Sequence, residues 1–127
     1  VYFADGYHGG IYGHYPIEWK TQFIVDTFNR HPEWKISLEI EPETWDTVRA
    51  RTPEAYRQLK EIATSDRVEF TNPTYTQPYC YNISGESIIR QFEYGIKKTR
   101  QHFPEVTFTT YSVEEPCFTS CLPQILQ

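Results

Sequence analysis

A parallel α/β domain is what this sequence predicts, and two observations predict it. Short apolar or alternating runs, at residues 1–4, 35–41, 67–70 and 106–110, recur with helical patterns between them. That alternation argues for parallel strands joined by helical crossovers. The breakers Pro16, Pro32, Pro42, Pro53 and Pro104 all fall at the edges of patterned segments rather than inside them.

Taken in order, residues 1–4 form a candidate first strand. Residues 5–16 follow with Gly6, Gly9, Gly10 and Gly13, which permit unusual backbone angles or the close approach of a ligand. Pro16 suits the first position of a helix in which Trp19, Phe23, Ile24 and Phe28 recur at helical spacing, and His31-Pro32 ends it. Residues 35–41 alternate polar and apolar as a second strand, closed by Glu41-Pro42. A short helix over 44–51 and another opened by Pro53, with Tyr56, Leu59 and Ile62 on one face, lead to a third strand at 67–70. A long loop, 71–83, then feeds a helix from about Ser84 to His102, with Ser84 as N-cap, Glu86 in the first turn and Ile89, Phe92 and Ile96 expected to face a core. The β-branched run 106–110 predicts a fourth strand, and a last helix is expected around 119–126. No internal sequence repeat is present. Four βα units leave an open edge, so an incomplete barrel and a broad layered sheet both fit. The chain opens in an apolar run without Met and stops just after a helix begins, so residues 1–127 are expected to be one partial domain, completed by polypeptide downstream of Gln127.

Composition narrows the function classes. With 39% hydrophobic and 23% charged residues the chain is globular. A net charge of −5 with no basic run argues against nucleic acid as a partner. No apolar run approaches membrane-spanning length. Aromatics reach 17%, including ten Tyr, whose flat faces and polar tips suit sugar rings or peptides as well as a core. Three cysteines, Cys80, Cys117 and Cys121, do not close a disulfide framework, and small buried thiols explain them best. Asn82-Ile83-Ser84 is a formal glycosylation sequon.

In a parallel arrangement all loops after strands gather on one face. Those loops carry Asp5, His8 and His14; Glu41 and Glu43; Tyr75, Gln77, Tyr79 and Tyr81; and Glu114 and Glu115. Carboxylates, imidazoles and phenols converging from several strand ends are the composition of a carbohydrate or metal-assisted hydrolytic site. Two carboxylates flanking a glycosidic bond serve as acid and as nucleophile or base, and His with Asp can hold zinc. On this reading Glu41, Glu114, Glu115 and Tyr79 are the catalytic candidates. Tyr75, Gln77, Tyr81 and His14 are the sugar-binding candidates, and Asp5 and His8 the metal ligands. Plainer roles compete: Asp5 in a turn, His8 donating to a carbonyl, Glu39 and Glu41 as a charged strand end, Glu114-Glu115 as a solvated turn. Ser87 and Cys80 have no evident His partner, so a nucleophilic triad is not indicated.

Two stretches carry a family resemblance. Residues 84–95, Ser-Gly-Glu-Ser-Ile-Ile-Arg-Gln-Phe-Glu-Tyr-Gly, resemble the SGES-x-x-RQ-x-x-x-G helix start of the N-terminal catalytic domain of glycoside hydrolase family 38, the α-mannosidases. Leu122-Pro123-Gln124-Ile125-Leu126 is similar to that family's LPQIL, which follows a D-x-FGH loop. The resemblance implies a seven-stranded parallel (β/α) barrel, of which this chain is roughly the first half, with further β domains downstream. It also implies zinc, held in the family by a His-x-Asp after the first strand and by an Asp nucleophile. Here His8 matches the His, but Gly10 stands where the Asp belongs, and Tyr79 stands at the nucleophile position. The D-x-FGH Asp corresponds to Glu114 or Glu115, and the FGH is absent. The implied function is hydrolysis of carbohydrate glycosidic bonds by an α-mannosidase-like enzyme with substituted zinc and nucleophile positions. A Tyr nucleophile would need Glu41, Glu114 or Glu115 as base. The alternatives are a catalytically inactive relative that binds glycans, and a structural domain of a larger protein.

Overall fold

The computed structural model describes residues 1–113 and 118–127, with the backbone alone for residues 7 and 8. Among them, strand β1 (Tyr2–Ala4) leads into helices α1 (Gly6–Gly9) and α2 (Ile17–Arg30). Strand β2 (Ile36–Leu38) is followed by α3 (Thr44–Arg51) and α4 (Pro53–Ile62). Strand β3 (Val68–Phe70) leads through a long loop and a 3-10 turn (Cys80–Asn82) to α5 (Gly85–His102), and α6 (Leu122–Ile125) ends the chain. The three strands are parallel in the order β1-β2-β3.

Register separates the two faces of this sheet. Tyr2, Ile36 and Val68 lie abreast, as do Ala4, Leu38 and Phe70, and these side chains meet the helices. Ile24, Val25 and Phe28 of α2, Trp45 and Val48 of α3, Leu59 of α4, and Phe103 just past α5 join them in one core. The alternate row, Phe3, Ser37 and Glu69, lies on the other face. A second, smaller cluster of Cys80, Ile88, Phe92 and Leu122 ties α6 to α5 and to the loop after β3. The helix carrying the SGES-like stretch is capped as its sequence predicts, with Ser84 Oγ accepting from the Ser87 amide at 3.2 Å.

The structure corrects four expectations. Residues 106–110 do not form a strand; Thr109 and Thr110 instead donate through their hydroxyls to Glu69, and Ser112 N–H bonds the Thr71 carbonyl at 2.9 Å. β-branched residues favour a strand where a pleated neighbour half buries them, and Thr107, Thr109 and Thr110 are exposed. The described sheet therefore has three strands rather than four. On α5 the buried stripe is Ile88, Phe92, Gly95, Thr99 and His102, and Ile89 is half exposed. On α2 the stripe runs Ile17, Lys20, Thr21, Ile24, Val25, Phe28, which turns Trp19 and Phe23 outward. Pro16 caps α2 rather than opening it, and the helix begins at Ile17.

A polar clasp joins three helices beside the core. Buried His102 accepts or donates through Nδ1 to the Tyr56 hydroxyl at 2.8 Å, and its Nε2 lies 3.2 Å from Asp46 Oδ1. Lys98 meets the other Asp46 oxygen. Burial pushes the His102 imidazole below its usual value, with Lys98 and Arg49 adding to the effect and Asp46 opposing it. A lowered folded pKa means the native state holds the proton less well than the unfolded chain. Stability is therefore lost as pH falls through about 6.5, the unfolded histidine value. Urea midpoints are expected to drop between pH 7 and pH 5, and the drop should flatten in His102→Gln; an unchanged slope in that variant would assign the effect elsewhere.

Gly95 allows a second close contact. A Cβ there would collide with the backbone of Pro73, Thr74 and Tyr75. Helix propensity favours Gly95→Ala by about 1 kcal/mol, whereas forcing backbone apart costs about 1–3 kcal/mol. The steric cost wins because backbone cannot swing aside as a side chain does. Denaturant melts of Gly95→Ala should show a net loss, and a gain would mean the loop yields freely.

Candidate active site

The described strands end at one rim. β1 runs out into Asp5 and the glycine loop, β2 into Glu39, Ile40 and Glu41, and β3 into Thr71 and Asn72. Backbone bonds extend the ladder past the strands proper, with Glu39 N–H on the Ala4 carbonyl at 2.8 Å and Thr71 N–H on the Leu38 carbonyl at 2.9 Å. Alternation along the β2 extension places Glu39 and Glu41 on the same side, and both are buried.

Glu41 is the centre of this rim. It is 4% exposed, and its carboxylate lies against Gly6 and Gly10. A Cβ at either glycine would collide with a Glu41 oxygen, and at Gly10 it would also come within 2.8 Å of the Gly6 carbonyl. The loop is fixed around that slot. Gly10 N–H bonds the Gly6 carbonyl at 2.8 Å, Ile11 N–H bonds Thr44 Oγ1 at 3.1 Å, and the Lys20 ammonium donates to the Gly10 carbonyl. Gln77 reaches in from the loop after β3, its Nε2 donating to the Glu39 carbonyl at 3.3 Å. The Tyr12 phenol faces the charge of Glu43.

The electrostatics follow from this crowding. Burial pushes the Glu41 carboxyl above the usual carboxylate range; Glu43 and Asp5 push the same way, against its own backbone amide and Lys20. Glu41 Oε2 has no hydrogen-bond partner among the described residues. Burial pushes the Lys20 ammonium down, opposed by Glu41 and Asp5. Its interaction with the Glu43 carboxylate, with burial and Glu41 adding to it, pushes the Tyr12 phenol up to about 12.

Of the residues anticipated from sequence, Asp5, Glu41, Glu43, Tyr75 and Gln77 meet here, linked by the contacts and charge interactions just described. Tyr12 and Lys20 join them without having been anticipated. Lys20 carried a usable signal: three residues after Ile17 and four before Ile24, it is a cation in an apolar stripe. Tyr12, in a glycine loop without periodicity, carried none. His14 is exposed ahead of α2. Tyr79 and Tyr81 are exposed at the 3-10 turn and face each other at 5.7 Å between ring centroids. His8 lies in α1, where its backbone alone is described, and Glu114, Glu115 and Cys117 fall outside the described residues. Cys80 is buried and Cys121 half-buried, both as free thiols.

Of the zinc ligands implied by the resemblance, His8 has only its backbone described, and Glu114 and Glu115 fall outside the described residues. Gly10 supplies no donor, and Glu41 already fills the space into which a position-10 side chain would grow. Among the described residues no three His, Cys, Asp or Glu side chains gather closely enough to hold a metal ion.

Comparison with known proteins agrees with the motif evidence. No curated protein matches the chain. A family model does, over residues 20–127, from within α2 to the end of the chain, which leaves β1, the glycine loop and the first residues of α2 outside the match. It is the model of the glycosyl hydrolases family 38 N-terminal domain, and the chain belongs to that family.

Proposed function

We propose that the chain forms part of a glycoside-hydrolysing site, acting on α-mannoside-like bonds, in which Glu41 is the carboxyl that protonates the departing sugar oxygen. The observation that carries the reading is the state of Glu41: a buried carboxyl at a strand end, held above its usual range, with an oxygen lacking a partner among the described residues. A carboxyl whose proton is held more tightly than usual is suited to deliver it to a leaving group. Asp5 and Glu43, the carboxylates whose charge Glu41 feels, supply the candidates for the second carboxyl. Tyr12, Tyr75 and Gln77 line the approach and offer hydroxyl and amide groups to a sugar. All the helices that share the main core meet the same sheet face, which supports a barrel closed by further strands.

A second reading is a glycan-binding relative without turnover. Tyr79, at the position where the resembled motif has its nucleophile, and the glycine at position 10 favour it.

Aryl α-mannosides with different leaving groups separate these readings. Glu41→Gln should lower kcat/KM at least about 100-fold for a methylphenyl mannoside, whose leaving group needs a proton. It should do little for a dinitrophenyl mannoside, whose leaving group departs unaided. Equal losses on both would reject the proton-donor role. Activity that survives Glu41→Gln but not Glu115→Gln would move the acid to residue 115. Binding of mannosides without turnover of either substrate by the native protein would establish the second reading.

A further inference from the structure

The smaller hydrophobic cluster holds two thiols that the strand-end chemistry leaves unused. Cys80 opens the 3-10 turn and is 1% exposed; Cys121 stands just before α6 and is half-buried. Both are free, and both pack in the cluster built on Ile88, Phe92 and Leu122. They reach it from segments far apart in the sequence, with the whole of α5 between them. Each is lightly held. The Cys80 thiol donates to the Pro78 carbonyl at 3.6 Å, and Cys121 Sγ lies 3.8 Å from the Thr119 hydroxyl oxygen. Thiols are weak donors and weak acceptors, so neither contact commits its sulfur. Burial pushes the Cys80 thiol up, and the neighbouring Cys121 adds to that, against Tyr111. A metal is the other use of paired thiols, but among the described residues no third His, Cys, Asp or Glu gathers with them.

We propose that Cys80 and Cys121 form a dithiol site whose co-reactant is a small disulfide such as oxidised glutathione, and that oxidation joins them in one bond between the 3-10 turn and α6. Exposure sets the order of events. Cys121, the more accessible of the two, loses its proton and attacks one sulfur of glutathione disulfide as the thiolate. The glutathione S–S bond breaks, and one glutathione leaves as a thiolate that takes up a proton. Cys80, packed in the same cluster, then loses its proton and attacks the Cys121 sulfur of the mixed disulfide. The second glutathione leaves and is protonated in turn. One small disulfide is thereby reduced to two thiols, and the protein gives up two electrons and two protons. Bridged cysteines hold their Cβ atoms about 3.5–4.5 Å apart. α6 is only four residues long and is held through this cluster, so it is the element that adjusts. Tyr79 and Tyr81 flank Cys80, so the bond fastens the turn that carries this exposed aromatic pair. None of this requires the chain to cleave a sugar.

The test is oxidation of the reduced, purified protein by glutathione disulfide, then alkylation of the remaining thiols and tryptic mapping without reduction. Residues 68–90 carry Cys80, and residues 101–127 carry Cys117 and Cys121. These two peptides should be recovered cross-linked from monomeric protein, native and Cys117→Ser alike. In Cys117→Ser only Cys80 and Cys121 remain, so a cross-link there identifies the pair. The cross-link should be lost in Cys121→Ser, with Cys80 left unmodified, whereas Cys80→Ala should retain one glutathione on Cys121. The native protein and Cys117→Ser decide the matter even where replacing buried Cys80 impairs folding, which circular dichroism reads. A bond confined to residues 101–127 overturns the proposal, as does a cross-link that survives Cys121→Ser. Glutathione adducts without a cross-link in the native protein, or thiols that glutathione disulfide leaves unchanged, overturn it equally.

Discussion

Where α5 crosses the loop after β3, two stretches of backbone touch, and the candidate site depends on that contact. Gly95 removes the one side-chain atom that would hold α5 away from residues 73–75. One turn earlier, Gln91 accepts from the Thr76 amide at 3.0 Å through its side chain and from the Tyr75 amide at 2.9 Å through its carbonyl. The loop is thereby fixed on both sides of Tyr75, and Gln77, just beyond, arrives at the Glu39 carbonyl. The Gln and Gly of the SGES-like stretch thus bring a loop from one strand to the end of another. Ser84 and the Glu86–Arg90 pair, 2.9 Å apart on the surface, secure the start of the helix, each contributing little beside the packing of Ile88 and Phe92.

Buried polarity is the second feature. A domain of this size gains by filling its interior with apolar groups, and an isolated charge in low dielectric costs several kcal/mol unless it is paired or changes its protonation state. Yet Lys20, Glu39 and Glu41 are almost wholly buried around one rim. Lys20 reconciles the conflict through its shape: the aliphatic stem continues the α2 stripe while the ammonium reaches a carbonyl. Glu41 reconciles it by holding its proton more tightly. Such violations of the packing rule concentrate where a protein has chemistry to perform, which separates this rim from the His102 clasp, where every polar partner joins one helix to another.

Much of the fold was legible in the sequence because it is written in local signals. Periodicity and breakers located the three strands and the long helices, and Ser84 announced its cap. The failures share a physical cause, since each depended on partners distant along the chain. Residues 106–110 have strand propensity, but a strand needs a neighbour's ladder, and Glu69 binds their hydroxyls instead. Ile88 and Ile89 are equivalent in composition, and only the direction of the core decides between them. The carboxylates at the strand ends were legible because parallel topology fixes where loops emerge. Tyr12 was not, because nothing local says that a loop tyrosine will turn back onto Glu43.

Membership in a hydrolase family does not by itself place the chemistry, since a scaffold can persist while its reactive groups change. The geometry around Gly10 gives that statement a mechanism. A side chain at position 10 and the observed Glu41 rotamer cannot coexist, because both claim the same small space above the Gly6 carbonyl. Glycine at position 10, just past α1, therefore leaves space that the carboxylate from the end of β2 fills. That carboxyl sits beside Lys20 and near Gln77, in a setting that favours its protonated form. A carboxylate that ligates a cation must be ionised, and one that delivers a proton must not be. On the proposed reading, the glycine that supplies no ligand is also the residue that makes room for a carboxyl holding its proton.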